Sequence, residues 1–351
     1  MSEIVRATIF RTGPMDIEQA IAEIIEAREV LNPQDMVVAA NKISFPEEEG
    51  IVVSLHKDSQ EFVSFLESGL KSMCLLLGFP FHLVSKLLPV TRAAVFTDLF
   101  QEKFVSNSSK NYLQLRCAFM ESKNLRAIFA NKQKVFNDRD VFTSVAEAVM
   151  NFDVMCYWVD DYVSAIRFRA KDSMYEWQGR KVFIGFDVVN SEVRERSLEV
   201  RGVMWLGDST MIVPKLVYPL YRGRNNRITD IRNLLPCVEN FSEAILRGDF
   251  NRNAQIALRE IENDKISLGR ELKNFYAREI FVNLDVLRFL ELVKKKTDKK
   301  WNEKDMYELC DMEENIRLSK LEFIDAVAKF ADGFDTYFKR ATLEFGLNLL
   351  F

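Results

Sequence analysis

Apolar residues change their period along this chain, and each change predicts an element. Between residues 16 and 31, Ile17, Ile21, Ile24 and Leu31 recur at helical spacing, and Asn32-Pro33 ends the run. Ahead of it, residues 4–10 read as a strand broken by Gly13-Pro14. Residues 36–43 and 51–56 read as strands around the acidic turn Pro46-Glu47-Glu48-Glu49-Gly50. Ser59 has the chemistry of a helix N-cap, and Phe62, Leu66, Met73 and Leu77 follow on one face up to the stop Gly78-Phe79-Pro80. Residues 81–104 look helical with an interruption near Pro89.

The period then falls to two. Leu113, Leu115, Cys117 and Phe119 alternate with Gln114 and Arg116, and residues 125–130 return after a polar turn. A short helix is expected over 138–151. Residues 154–158, 162–171, 181–190, 197–206 and 211–217 then read as strands. The short spacings between them imply antiparallel meander connections, because parallel neighbours need long crossovers. From Thr229 the helical period returns, with Leu234, Val238, Phe241 and Ile245 on one face and Leu321, Ile324, Ala328, Ala331 and Phe334 on another. The pattern predicts an α+β protein with a central antiparallel sheet flanked by helices and a C-terminal all-helical region. The expected divisions are a mixed helix and strand region over 1–110, a sheet core over 111–228 that includes the 112–130 hairpin, and helices over 229–351.

Composition narrows the function classes. The 351 residues include 28 Phe but only 8 Pro and 13 Gly, which favours long elements and a large core. The 48 basic and 52 acidic residues leave a net charge of −4, so nucleic-acid binding would need a local basic patch. No apolar run approaches the roughly 20 residues of a membrane span, and the start lacks a basic and then apolar leader. A cytoplasmic protein with no membrane contact is expected. Cys74, Cys117, Cys156, Cys237 and Cys310 form no C-x-x-C pair and sit among apolar neighbours, as buried reduced thiols do. With two separated histidines, His56 and His82, neither a metal site nor a cofactor is implied, and no nucleophile motif is present.

Three constellations remain. Arg167, Arg169 and Lys171 alternate with Ile166, Phe168 and Ala170, which places three cations on one face of a strand. They read either as an anion-binding face or as a solvated face balanced by acids on neighbouring strands. Tyr221, Arg222, Arg224 and Arg227 form a basic and aromatic loop that could hold phosphate and stack a base, or could be a linker against an acidic helix. Asp187, Asn190 and Glu192, with Asp160 and Asp161, could gather carboxylates for Mg²⁺; a polar turn and a surface glutamate explain the same residues more simply.

Two patches resemble a large family of phage- and plasmid-related proteins. Leu125-Arg126-Ala127-Ile128-Phe129, followed by Asn137-Asp138, is similar to that family's Arg-Ala strand motif ahead of a turn and helix. Val188-Val189-Asn190-Ser191-Glu192-Val193 resembles its Asn-Ser-Glu motif on a later strand. Leu87-Leu88-Pro89-Val90 lies upstream in the corresponding order. Ala130 and Gln133 stand where the family has Ser and Tyr, and Arg194 stands where it has Gly. The likeness spans residues 80–225. It implies a mobile-element setting and, since the family has no settled activity, no reaction.

The leading expectation is a phage-type accessory protein of nucleic-acid metabolism that binds and anneals single-stranded DNA as a homo-oligomer, without catalysis. Phosphate would meet Arg167, Arg169, Lys171, Arg222, Arg224 and Arg227, and a base would stack on Tyr221. Two alternatives stand beside it. One is a protein-interaction module with a host protein partner, using apolar surface such as Leu349-Leu350-Phe351. The other is a metal-dependent nuclease on Asp187 and Glu192.

Overall fold

A computed structural model describes residues 9–31, 33–56, 59–106, 111–119, 122–130, 136–160, 162–172, 175–193, 198–207, 209–212, 231–277, 289 and 317–331. The α+β expectation holds: antiparallel-rich sheets are flanked by helices, and the described C-terminal region is mainly helical.

Two large sheets divide the strands. The smaller holds β2 (Met36–Ala39), β3 (Ile43–Ser44), β4 (Gly50–His56), β5 (Ser59–Phe65), β6 (Tyr112–Phe119) and β7 (Lys123–Ala130), in the order β2-β6-β7-β5-β4-β3. The larger holds β1 (Ile9–Met15), β8 (Phe152–Val159), β9 (Ser164–Ala170), β10 (Tyr175–Trp177), β11 (Arg180–Asn190), β12 (Glu199–Leu206) and β13 (Ser209–Ile212). Its order is β1-β8-β9-β11-β12-β13, with β10 folded onto β11, and every pair is antiparallel. The 112–130 hairpin therefore joins the N-terminal strands, not the central meander. A third, two-stranded pairing joins β14 (Lys265–Ser267) to β15 (Arg317–Ser319).

Two local expectations are corrected. Gly13-Pro14 does not end the first strand, because β1 runs through it at the sheet's edge. Its register slips between Thr12 and Met15, and Gly13 takes φ +106° there. An edge bulge tolerates both residues, since Pro has no ladder hydrogen bond to lose. Nor does a helix start at Ser59. Residues 59–65 form β5, paired antiparallel with β4 and, at Ser64 and Phe65, parallel with β7. Helix α2 starts only at Glu67 and runs to Leu77. Here strand pairing outweighs a good N-cap residue.

The remaining α-helices among the described residues are α1 (Ile17–Glu29), α3 (Phe81–Val84), α4 (Pro89–Phe100), α5 (Asp138–Val145), α6 (Leu234–Leu246), α7 (Asn251–Asn263), α8 (Leu268–Ala277) and α9 (Lys320–Ala331). Pro89 opens α4, at a position where its missing N–H costs no helical bond.

Each large sheet has its own core. In the larger, Val182, Ile184, Phe186 and Val188 of β11 line the face covered by helices. Phe186 meets Phe152, Phe168 and Phe241 with ring centroids 5.1–5.5 Å apart. Burying each such ring contributes about 1.5–3 kcal/mol. In the smaller, Leu113, Leu115, Cys117, Leu125 and Ile128 pack with Met73 and Leu77 of α2 and with Phe96 and Phe100 of α4.

Helix α2 lies against β7, beyond the point where β5 stops pairing with it. The Ser72 hydroxyl donates to the Ile128 carbonyl (2.9 Å) and accepts from the Ile128 amide (3.0 Å), so both backbone groups are satisfied on the side away from β6 without a further strand. The approach is close enough that a Cβ on Gly69 would stand 2.0 Å from the Leu125 carbonyl oxygen.

Candidate functional site

The two resemblance patches meet in space. Arg126, on β7, donates through Nη1 to Glu192 Oε2 at 3.0 Å. A bulge aims it there. Arg116 pairs with Ala127 and Cys117 with Leu125, which leaves Arg126 without a cross-strand partner. A bulge re-aims a side chain locally. Arg126 thus reaches the same carboxylate as Arg116, whose Nη1 lies 3.7 Å from Glu192 Oε2.

Helix α1 adds a third guanidinium. Ala20, Ile24 and Arg28 stand four apart on its buried face, so the last turn delivers a cation where the stripe would place an apolar residue. Arg28 Nε donates to Asp138 Oδ2 (2.6 Å), Nη1 to the Asp160 carbonyl (2.8 Å) and Nη2 to Ser164 Oγ (2.6 Å). Ser164 Oγ in turn donates to Asp138 Oδ2. Asn190 Nδ2 donates to Asp138 Oδ1 (2.7 Å) and to the Phe136 carbonyl (2.9 Å). Arg116 completes the set through Asp35 Oδ2 and Asn137 Oδ1. Glu192 Oε1 accepts the backbone N–H of Asp138, in the first turn of α5, at 3.0 Å, where the helix dipole favours a carboxylate.

Burial alone would raise the Glu192 carboxyl. Arg28, Arg126 and Arg116 outweigh it and hold the group below the usual carboxylate range. For Arg126 the balance goes the other way: burial and then the charge of Arg28 lower it, and Glu192 offsets them only in part. Arg126 is 1% exposed, and its Nη2 has no hydrogen-bond partner.

This network fixes the wall of a cleft. Ser191 Oγ donates to the Tyr162 carbonyl at 2.5 Å, and Asp160 Oδ1 accepts the amides of Tyr162 (2.8 Å) and Val163 (2.7 Å). Tyr162 and Val193 form one side of the cleft, and α2 forms the other with Ser68, Lys71 and Cys74. The cleft encloses about 330 Å³. Lys71 Nζ sits 5.2 Å from the centroid of the Tyr162 ring. Burial pushes the Cys74 thiol up to about 11, so at neutral pH it is a neutral wall atom.

The alternating cations of β9 have partners inside the protein. Arg167 donates to both oxygens of Asp187 (2.6 and 2.9 Å), and Arg201 donates to Asp187 Oδ2 (3.0 Å). Asp187 is 0% exposed; burial would raise its carboxyl, but Arg167 and Arg201 hold it low. Arg169 stacks 4.6 Å from the Phe183 ring centroid, 4.0 Å from Asp153, and Lys171 donates to the Met150 carbonyl. The neighbouring strands thus bring acids to this face, and Arg167 is closed off from solvent. The carboxylates of Asp187 and Glu192 have separate sets of guanidinium partners, and among the described residues no group of three His, Cys, Asp or Glu could hold a metal. Tyr221, Arg222, Arg224, Arg227, Cys310 and the Leu349-Leu350-Phe351 tail lie outside the described residues. No described helix is long and apolar enough to cross a membrane.

Ser68, Lys71 and Tyr162 escaped the sequence reading. Ser68 and Lys71 lie inside a helix whose start was misplaced, and Tyr162 read as an ordinary strand residue. Arg28 was detectable as a charge on an apolar helical stripe.

No protein-family model, curated protein or solved structure matches the chain.

Proposed function

We propose that this chain is a non-enzymatic interaction protein of phage-related type, and that it takes its partner in the cleft between α2 and the turns carrying Tyr162 and Val193. The observation that carries this reading is the cleft itself, walled by a buried ion-pair network and lined mainly by apolar and aromatic side chains. Ligand sites have this make-up, and about 330 Å³ falls at the small end of their roughly 300–1,000 Å³ range. In the lining, Leu75 leaves an apolar side chain in solvent, 75% exposed. A rigid scaffold with an apolar lip suits recognition. Work as a homo-oligomer in the cytoplasm, that of the host if the chain is phage-encoded, belongs to the same proposal. Titration of the full chain with the neutral apolar dye Nile red tests it. Saturable one-to-one binding that Leu75→Glu abolishes is expected. Equal affinity in wild type and variant would remove the cleft as the site.

Single-stranded nucleic-acid binding remains a second reading, supported by the Arg169–Phe183 stack and the exposed Lys171 beside it. It requires affinity that falls steeply with salt and an effect of the Arg222, Arg224 and Arg227 triple alanine variant. An unchanged affinity in that variant would end it.

A further inference from the structure

Two serines one turn apart on α2 line the cleft, and they differ in one respect. The Ser72 hydroxyl both donates to and accepts from the backbone of Ile128. The Ser68 hydroxyl has no hydrogen-bond partner, although Ser68 is only 4% exposed. Buried hydroxyls are almost always matched, so an unmatched one in the wall of a cleft marks where a bound group would complete it. Rotation among the staggered positions of the side chain lets the hydroxyl turn toward such a group.

The place of Ser68 in its helix sets the character of that group. Ser68 is the second residue of α2, and the N-cap, Leu66, makes no side-chain capping bond. Glu67, the acid of this first turn, is exposed. A helix N-terminus favours an oxygen that accepts hydrogen bonds. The side chains of Leu75, Phe79, Phe81 and Val193 line the same cleft and suit a hydrocarbon body. We infer that the cleft takes a small apolar molecule bearing a carbonyl-type oxygen. That oxygen accepts a hydrogen bond from the Ser68 hydroxyl, and the hydrocarbon part lies against Leu75, Phe79 and Phe81. This inference rests on the cleft being the recognition site, and it adds the one polar contact that orients the ligand.

The test uses the full chain and two probes of matched shape: acetophenone, and isopropylbenzene, which has a methyl group in place of the carbonyl oxygen. Both should displace Nile red. Ser68→Ala should lower acetophenone affinity about tenfold and leave isopropylbenzene affinity unchanged, since only one probe loses a hydrogen bond. The thermal midpoint of Ser68→Ala should stand at or above the wild-type value, because an unmatched hydroxyl is removed. A lower midpoint would show that the hydroxyl is already satisfied, and would overturn the inference. An equal change for both probes, or none, would overturn it while leaving the cleft as a site. So would failure of both probes to displace Nile red whose binding Leu75→Glu abolishes. Nile red bound equally by wild type and Leu75→Glu would overturn the cleft and the inference together.

Discussion

Arg126 and Glu192 stand 66 positions apart in the chain and meet in a buried ion pair 3.0 Å across. One lies on a bulge of the smaller sheet, the other just past the end of a strand of the larger. The pairing registers the two sheets against each other beside the cleft that Val193 lines.

Removing the carboxylate should therefore cost more than removing one arginine. Glu192→Ala leaves Arg28, Arg116 and Arg126 facing one another and should destabilise the protein by ~3–5 kcal/mol in urea unfolding. Arg126→Met should cost clearly less, because Glu192 keeps Arg28, Arg116 and the Asp138 amide. Equal losses would show that the carboxylate is not the hub.

Stability should fall in acid. The carboxyls of Glu192 and Asp187 lie below their usual values in the folded state, so the unfolded chain binds protons first as pH drops. Their stabilisation is complete above the unfolded carboxylate range near pH 4 and is lost as pH falls through the lower folded values. Urea midpoints measured from pH 7 down to about 3 should decline through that window, and Glu192→Gln should flatten the decline.

Gly69→Ala should destabilise by roughly 1–3 kcal/mol or more, because the new methyl group would press on the Leu125 carbonyl at 2.0 Å and push α2 off β7. Thermal unfolding reads this directly. A neutral result would mean that α2 can shift without loss.

Burial pushes the thiols of Cys74, Cys117 and Cys237 up to about 11, 12 and 12. All three should resist iodoacetamide at pH 8 in the native protein and react readily in denaturant. Site-resolved mass spectrometry gives the comparison. Fast native labelling of Cys117 would contradict its burial in the smaller sheet.

Much of the architecture could be read from periodicity. The α1 stripe, the alternation at Leu113, Leu115 and Cys117, and the strand pattern between residues 154 and 206 correspond to elements near their expected bounds. The failures have physical causes. Alternation places Arg167 and Arg169 on one face but does not say what faces them, and Asp187, 20 positions from Arg167, arrives only when β11 pairs with β9. The aim of Arg126 depends on a bulge, which leaves no mark on a pattern of period two. The cleft depends on α2 standing where a strand would otherwise pair with β7, a placement set by tertiary contact through Ser72.

The order of the strands carries a last consequence. β1 and α1 precede the smaller sheet in sequence, yet β1 pairs with β8 and α1 packs into the larger core, which is otherwise built by residues beyond it. The smaller sheet is thus a guest threaded through a host. The chain leaves the host at Arg28 and rejoins it at Asp138, and those two side chains are already joined at 2.6 Å. A guest whose ends are stitched together behind it can be lengthened, exchanged or lost without unthreading the host. Here two of the three arginines that neutralise Glu192 belong to the guest, so any replacement must bring its own cations to the seam.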